Sequence, residues 1–194
     1  MKLAIHGKMC SGKTTLSNFI INYLIHHKNI TLKKVAFADK VYNIAYDLFN
    51  MKTKSRELLQ AIGTKMREID EDIWIKYVLN NNDDNIIVDD LRYPNELNAL
   101  KQAGFILIKL ELDKDEQLKR LKKCYPETYQ EHINNMNHES ELLMESIDDS
   151  NFDLIIKSDN HVIENLIHFI ENKLFQKEEK DNFDMETVYE SLYY

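Results

Sequence analysis

Five short apolar runs punctuate the chain, and apolar residues recur at helical spacing between them. Leu3 to His6, Lys34 to Ala38, Ile86 to Val88, Phe105 to Leu112 and Phe152 to Lys157 have the length and β-branched content of buried strands. After the first run, Leu16, Phe19, Ile20, Tyr23 and Leu24 give Thr15 to His27 one buried helical face. Val41, Ile44, Ala45 and Leu48 do the same for residues 40–50. Leu58, Leu59 and Ile62 mark a helix from Ser55 to Glu68 that Gly63 interrupts. Further helices are expected over Asp70 to Leu79, over Asn95 to Ala103 behind Pro94 and stopped by Gly104, from Asp113 through Lys123, and from His161 to Phe175. Residues 80–85 read as a polar turn, and Cys124 to Asn137 are poorly periodic. Strands alternating with helices predict one α/β domain: a parallel sheet of about five strands, helices on both faces, and a ligand at the carboxyl ends of the strands.

The junction of the first strand and first helix carries chemistry. Gly7-Lys8-Met9-Cys10-Ser11-Gly12-Lys13-Thr14 is G-x-x-x-x-G-K-T, the P-loop pattern, followed by Thr15. Backbone N–H groups in such a loop converge at a helix N-terminus and cradle polyphosphate oxygens. Lys13 is placed for the β- and γ-phosphates and the Thr14 hydroxyl for Mg²⁺. No G-x-G-x-x-G follows the strand, which disfavours a dinucleotide site.

Charge narrows the partners. A formal net charge of −8 argues against polymeric nucleic acid or an anionic membrane as the main target, while a small anion in a locally basic pocket stays compatible. Cys10 and Cys124 have neither metal-ligand nor disulfide-framework spacing, which suggests a reducing, cytoplasmic setting. The chain shows no signal peptide, and its longest apolar stretch is too short to span a bilayer. Of 25 basic residues only Arg56, Arg67, Arg92 and Arg120 are arginines, so each is a candidate fork for a phosphate.

The third strand ends in Asp89-Asp90. Strict alternation turns these side chains to opposite faces, and Asp90, two residues before Arg92, is the expected holder of a Mg²⁺-bound water. Arg67 is a candidate for an acceptor phosphate. His6, His26 and His27 read as strand and helix-surface residues, and Arg56 as helical and outward.

Phe37-Ala38-Asp39-Lys40, Leu58-Leu59-Gln60-x-x-Gly63-Thr64-x-x-Arg67, Trp74-Ile75 and Asp90-Leu91-Arg92-Tyr93-Pro94-Asn95-Glu96, in that order behind a P-loop, resemble the deoxynucleoside monophosphate kinases of phages and large DNA viruses. His138-Glu139-Ser140-Glu141 and Phe152-Asp153 resemble the same family's lid end and last strand. The resemblance covers about residues 1–175 and implies an adenylate-kinase-like P-loop fold with an acceptor-binding insertion at about 39–80 and a lid at about 120–141. It implies transfer of the γ-phosphoryl group of ATP·Mg²⁺ to a deoxynucleoside monophosphate. Lys13, Arg67, Arg92 and Arg120 would act on the transferred group. The acceptor would lie against Asp39, Arg67, Trp74 and Arg92, the donor adenine against Ser158-Asp159-Asn160, and the metal at Thr14 and Asp90. The lid departs from the family in having Arg120 alone, with Lys119, Lys122 and Lys123 beside it. Two other readings stand beside this one: an animal-type phosphomevalonate kinase and a noncatalytic nucleotide switch. An Asn-Lys-x-Asp guanine motif is missing. Base selectivity would rest on residues such as Tyr42, Gln60, Tyr93 or Asn95. The tail, residues 176–194, is charged and then aromatic, and is expected to dock on the body or on a second subunit of a homodimer.

Overall fold

The computed structural model describes residues 1–80, 83–136, 143 and 147–175. In chain order these form β1 (Lys2–Gly7), α1 (Lys13–Lys28), β2 (Lys33–Lys34), α2 (Ala38–Asp47), α3 (Arg56–Ile69), α4 (Ile73–Leu79), β3 (Ile86–Leu91), α5 (Pro94–Gln102), β4 (Ile106–Glu111), α6 (Lys114–Cys124), α7 (Tyr129–Asn135), β5 (Leu154–Lys157) and α8 (Val162–Phe169). A single 3-10 turn, Asp149–Asn151, precedes β5, and a π-helical turn, Ile170–Leu174, extends α8. The strands make one parallel sheet in the order β2-β3-β1-β4-β5, with Leu3 opposite Ile87 on one side and Ile106 on the other. The expected α/β architecture is therefore present, and the strands read as continuous apolar runs because both faces are covered.

Alternation along the strands divides the interior. Leu3, Ile5, Ile87, Ile108 and Leu110 face α1 and α8, where they meet Leu16, Ile20, Leu24, Leu166 and Ile167. Ala4, Ile86, Val88, Leu91 and Leu107 face α2 to α5, where they meet Val41, Ile62, Trp74, Val78 and Leu97. Because β1 is central and parallel to its neighbours, its carboxyl end delivers the 7–14 loop to the middle of the upper sheet edge.

Three expected elements differ. The strand foreseen over Lys34 to Ala38 is only two residues long, and α2 already begins at Ala38. After Val35 N donates to Ile87 O at 3.0 Å, the next N–H groups leave the sheet for carboxylates. Ala36 N donates to Asp39 Oδ2 at 2.8 Å, and Phe37 N and Ala38 N each donate to Asp90 at 3.0 Å. Satisfying the orphan donors of a helix start in this way begins a helix where the sequence alone suggested a strand end. Gly63 does not interrupt α3; it is buried in an unbroken helix that Ser55 caps through Leu58 N. Residues 124–137 include the α7 turn.

His138-Glu139-Ser140-Glu141 and the 176–194 tail lie outside the described residues. Among those described, no helix is long and apolar enough to cross a membrane.

Candidate active site

The loop's shape is set by three residues. Cys10 (φ 62°) and Gly12 (φ 94°) both take left-handed backbone, which folds the chain back before α1 starts at Lys13. At Gly7 the requirement is closeness: a Cβ there would sit 2.6 Å from Ser11 Oγ and 2.9 Å from Leu110 O, a carbonyl that cannot move away. Lys13 Nζ donates to Gly7 O at 2.5 Å and Lys8 O at 2.9 Å, spanning the loop's mouth.

Other elements brace this loop. Ser11 is wholly buried, and its carbonyl accepts from Ser158 Oγ at 2.7 Å. Arg120, on α6, donates from Nη1 to Ser158 Oγ (2.7 Å), from Nη2 to Ser158 O (2.8 Å) and from Nε to Glu116 (3.0 Å). Arg120 and Ser158, distant in sequence, thus join the turn after β5 to the loop. A cavity of about 360 Å³ opens beside them, lined by Asp113, Glu116, Arg120, Ser158, Asp159 and Asn160. Met9 is held from two sides: Gln117 Nε2 donates to its carbonyl at 3.0 Å, and His132 Nδ1 lies 3.0 Å from its sulfur. His132 is itself buried, stacked on Tyr125 and 3.1 Å from Arg56 Nη2. Arg56, expected to point outward, therefore bonds to α7. Neither Gln117 nor His132 was foreshadowed, because their contacts depend on how α6 and α7 return to the loop.

The two aspartates of β3 do turn to opposite faces. Asp89 pairs with Lys34 Nζ at 2.6 Å and accepts from Ser17 Oγ at 3.0 Å, one turn along α1 from Thr14. Asp90 spends its oxygens on the start of α2 and has no ion pair among the described residues; burial raises its pKa.

Below them sits a buried acid that the sequence reading did not single out. Glu96, 2 % exposed, accepts from Arg92 N (2.9 Å) and Tyr93 N (3.0 Å) through Oε2 and from Arg67 Nη2 (3.2 Å) through Oε1. The Arg67 guanidinium also lies over the Tyr93 ring, 4.3 Å from its centroid. One carboxylate therefore draws Arg67 of α3 to the Arg92-Tyr93 turn, whose Arg92 side chain is exposed. The available signal was Pro94 at the first position of α5 and Glu96 at the third, the sequence form of a reciprocal cap. Asp39 is exposed at the start of α2, on the same sheet edge.

Trp74 requires a correction. Expected against the acceptor, it is 4 % exposed in the core, and its indole N–H is used by Gly63 O at 3.2 Å, so neither ring face nor donor is available to a ligand.

Burial shifts His6 and Glu96 with opposite consequences for stability. Burial lowers the pKa of His6, stacked on Phe152 with Nδ1 3.2 Å from Leu91 O, to about 4. Burial raises that of Glu96 to about 7, against the pull of the Arg92 N–H and the Arg67 guanidinium. Between pH 4 and 6.5 the unfolded chain holds the more protonated His6, so this group adds stability as pH rises. Between pH 4.5 and 7 the folded chain holds the more protonated Glu96, so that group removes stability as pH rises. Urea titrations are expected to show His6→Gln losing stability less steeply than the parent as pH falls from 6.5, and Glu96→Gln losing it less steeply as pH rises to 7. Parallel profiles for parent and variants would refute both assignments.

A family model described as an AAA domain matches residues 3–144, and the chain belongs to this family of P-loop NTPases, for which the loop implies nucleotide binding. No curated protein matches the chain. Among solved structures, an uncharacterized protein from Eubacterium ventriosum ATCC 27560 aligns over 89% of this chain and 99% of its own, at 17% identity and a TM-score of 0.49.

Proposed function

We propose that the protein transfers the γ-phosphoryl group of ATP to a deoxynucleoside monophosphate, giving ADP and the diphosphate. The observation that carries this reading is the Glu96 node. It gathers two arginines and a tyrosine at the end of the strand next to the phosphate loop, where a phosphate-bearing acceptor would face the donor. The donor phosphates lie on residues 7–15 in this reading and the adenine beside Ser158-Asp159-Asn160. Residues 1–175 form the catalytic domain, with the acceptor insertion over 39–80 and the lid over 120–141. Asp39, Arg67 and Arg92 hold the acceptor.

The attacking phosphate oxygen is already anionic, so the reaction needs positioning and charge neutralisation and no general base. Lys13 follows the developing charge on the transferred group, and Arg120 holds the donor side of the site together through Ser158. For Mg²⁺ the available donors are hard oxygens, the Thr14 hydroxyl and a strand-end carboxylate, which suit this ion when phosphates complete its shell. Of the two strand-end carboxylates, Asp89 is bonded to Ser17 one turn beyond Thr14 and in this reading would serve the ion, with Lys34 beside it, whereas the expected Asp90 spends both oxygens on the start of α2. The ion would supply neutralisation of the β- and γ-phosphate charge.

Coupled ADP release with ATP and each deoxynucleoside monophosphate tests the proposal, with mevalonate 5-phosphate as the comparison acceptor. Turnover with at least one nucleotide and none with mevalonate 5-phosphate is expected. Mevalonate 5-phosphate lacks an aromatic ring and carries an extra carboxylate for which the acceptor side offers no third arginine. Acceptor-independent hydrolysis alone would mark a nucleotide switch. Arg67→Lys and Arg92→Lys are each expected to raise the acceptor KM or lower kcat about tenfold with little effect on ATP affinity, since a planar fork becomes a point charge. Equal losses for donor and acceptor would move these arginines out of the acceptor site.

A further inference from the structure

Cys10 and Cys124, 114 positions apart and without framework spacing, meet in space. Gln117, Arg120 and Cys124 follow one another at i, i+3 and i+7 along a single face of α6. Gln117 bonds to Met9 O, and Arg120 reaches Ser158, whose hydroxyl holds Ser11 O. This face therefore runs along residues 9–11 of the phosphate loop, and at its end the Cys124 side chain lies beside that of Cys10. Both cysteines are free thiols, Cys10 half-buried in the loop and Cys124 exposed at the last residue of α6.

We propose that Cys10 and Cys124 are a dithiol site that small-molecule disulfides oxidise reversibly, and that the resulting cystine ties the phosphate loop to the end of α6. The exposed Cys124 thiolate attacks one sulfur of the small disulfide, whose S–S bond breaks and releases one small thiol. Cys10, having given its proton to solvent, attacks Cys124 Sγ and expels the second small thiol. Two protein thiols lose two electrons and two protons, and one small disulfide gains them. The order follows from exposure, and burial, which raises the Cys10 pKa, keeps that thiol protonated until its partner is activated. In a reducing compartment a disulfide of this kind is transient and signals a change of redox state. Closing it fixes the backbone at Cys10, inside the phosphate loop, and adds bulk at the loop's mouth.

The test treats the full chain with oxidised glutathione, follows intact mass and free thiols, and maps the products. The parent chain is expected to lose two hydrogens, carry no adduct, form no cystine between chains, and recover both thiols in dithiothreitol. Cys10→Ser should stop at a glutathione adduct on Cys124, and Cys124→Ser should react at least tenfold more slowly. A persistent adduct on Cys124 of the parent, or cystine found only between chains, would overturn the site. Binding of a fluorescent ATP analogue should weaken at least tenfold on oxidation, and unchanged affinity in a chain shown to hold the intramolecular cystine would overturn the tie on the loop. The thiol count does not depend on the nucleotide reading, so a reduced chain that binds no ATP would count against that reading and leave the dithiol site to the mass measurement.

Discussion

Lys13→Ala is expected to lower kcat by well over tenfold while leaving the unfolding midpoint nearly unchanged. The ammonium group now bridges Gly7 O and Lys8 O at the loop's mouth, where water can replace it when it is removed. Such a change costs about 1 kcal/mol or less of stability. In the transition state no water molecule can substitute in the same way, because the charge developing between donor and acceptor is met by groups fixed in advance. Loss of one such contact is worth about 3 kcal/mol, roughly a hundredfold in rate. Coupled ADP release and thermal melting on the same preparation separate the two effects. Retention of more than about a tenth of kcat would remove Lys13 from the chemistry.

Glu96→Ala is expected to have the opposite profile, a large loss of stability together with a selective loss of acceptor use. The side chain is buried and satisfies two backbone donors at the start of α5 as well as Arg67. Removing it strands those donors and leaves a half-buried guanidinium with the Tyr93 ring alone. The combined cost is about 3 kcal/mol, which for a chain of this size lowers the melting temperature by roughly 6 to 12 °C. The acceptor KM should rise more than the ATP KM, because Arg67 and the Arg92-Tyr93 backbone lose their common anchor. Glu96→Gln keeps one acceptor oxygen for Arg92 N and Tyr93 N but turns an amide toward Arg67. It should therefore recover most of the stability and little of the acceptor affinity. Recovery of both together would make Glu96 a cap and nothing more.

These cases also show what the sequence could reveal. The 7–14 loop was legible because its requirements are local: two glycines, a lysine and a hydroxyl at fixed spacing, between an apolar run and an amphipathic helix. The sheet was legible because apolar runs covered on both faces stand out from helical periodicity. The two-residue β2 was not, because Asp90, fifty residues downstream, takes the N–H groups that would have prolonged it. Trp74 took its ligand role from the family resemblance, and only its burial against α3 shows it to be core. Glu96 stood inside the Arg-Tyr-Pro-Asn-Glu run in plain view; its position three residues into a proline-led helix was the clue to its work. The meeting of Cys10 with Cys124 had no one-dimensional trace, since a helix had to lay one beside the other.

The sheet's two borders are unequal in a way that bears on self-association. At one border β2 offers two residues, both lysines, with Lys33 paired to Asp83, and the chain turns into α2 before a third regular rung forms. Short length and charge are how natural sheets discourage a neighbour's strand from adding on. At the other border β5 offers four residues, with Ile155 37% exposed among them. Any aggregation templated by this sheet would therefore begin along β5, and a lysine placed at Ile155 would be the economical way to suppress it.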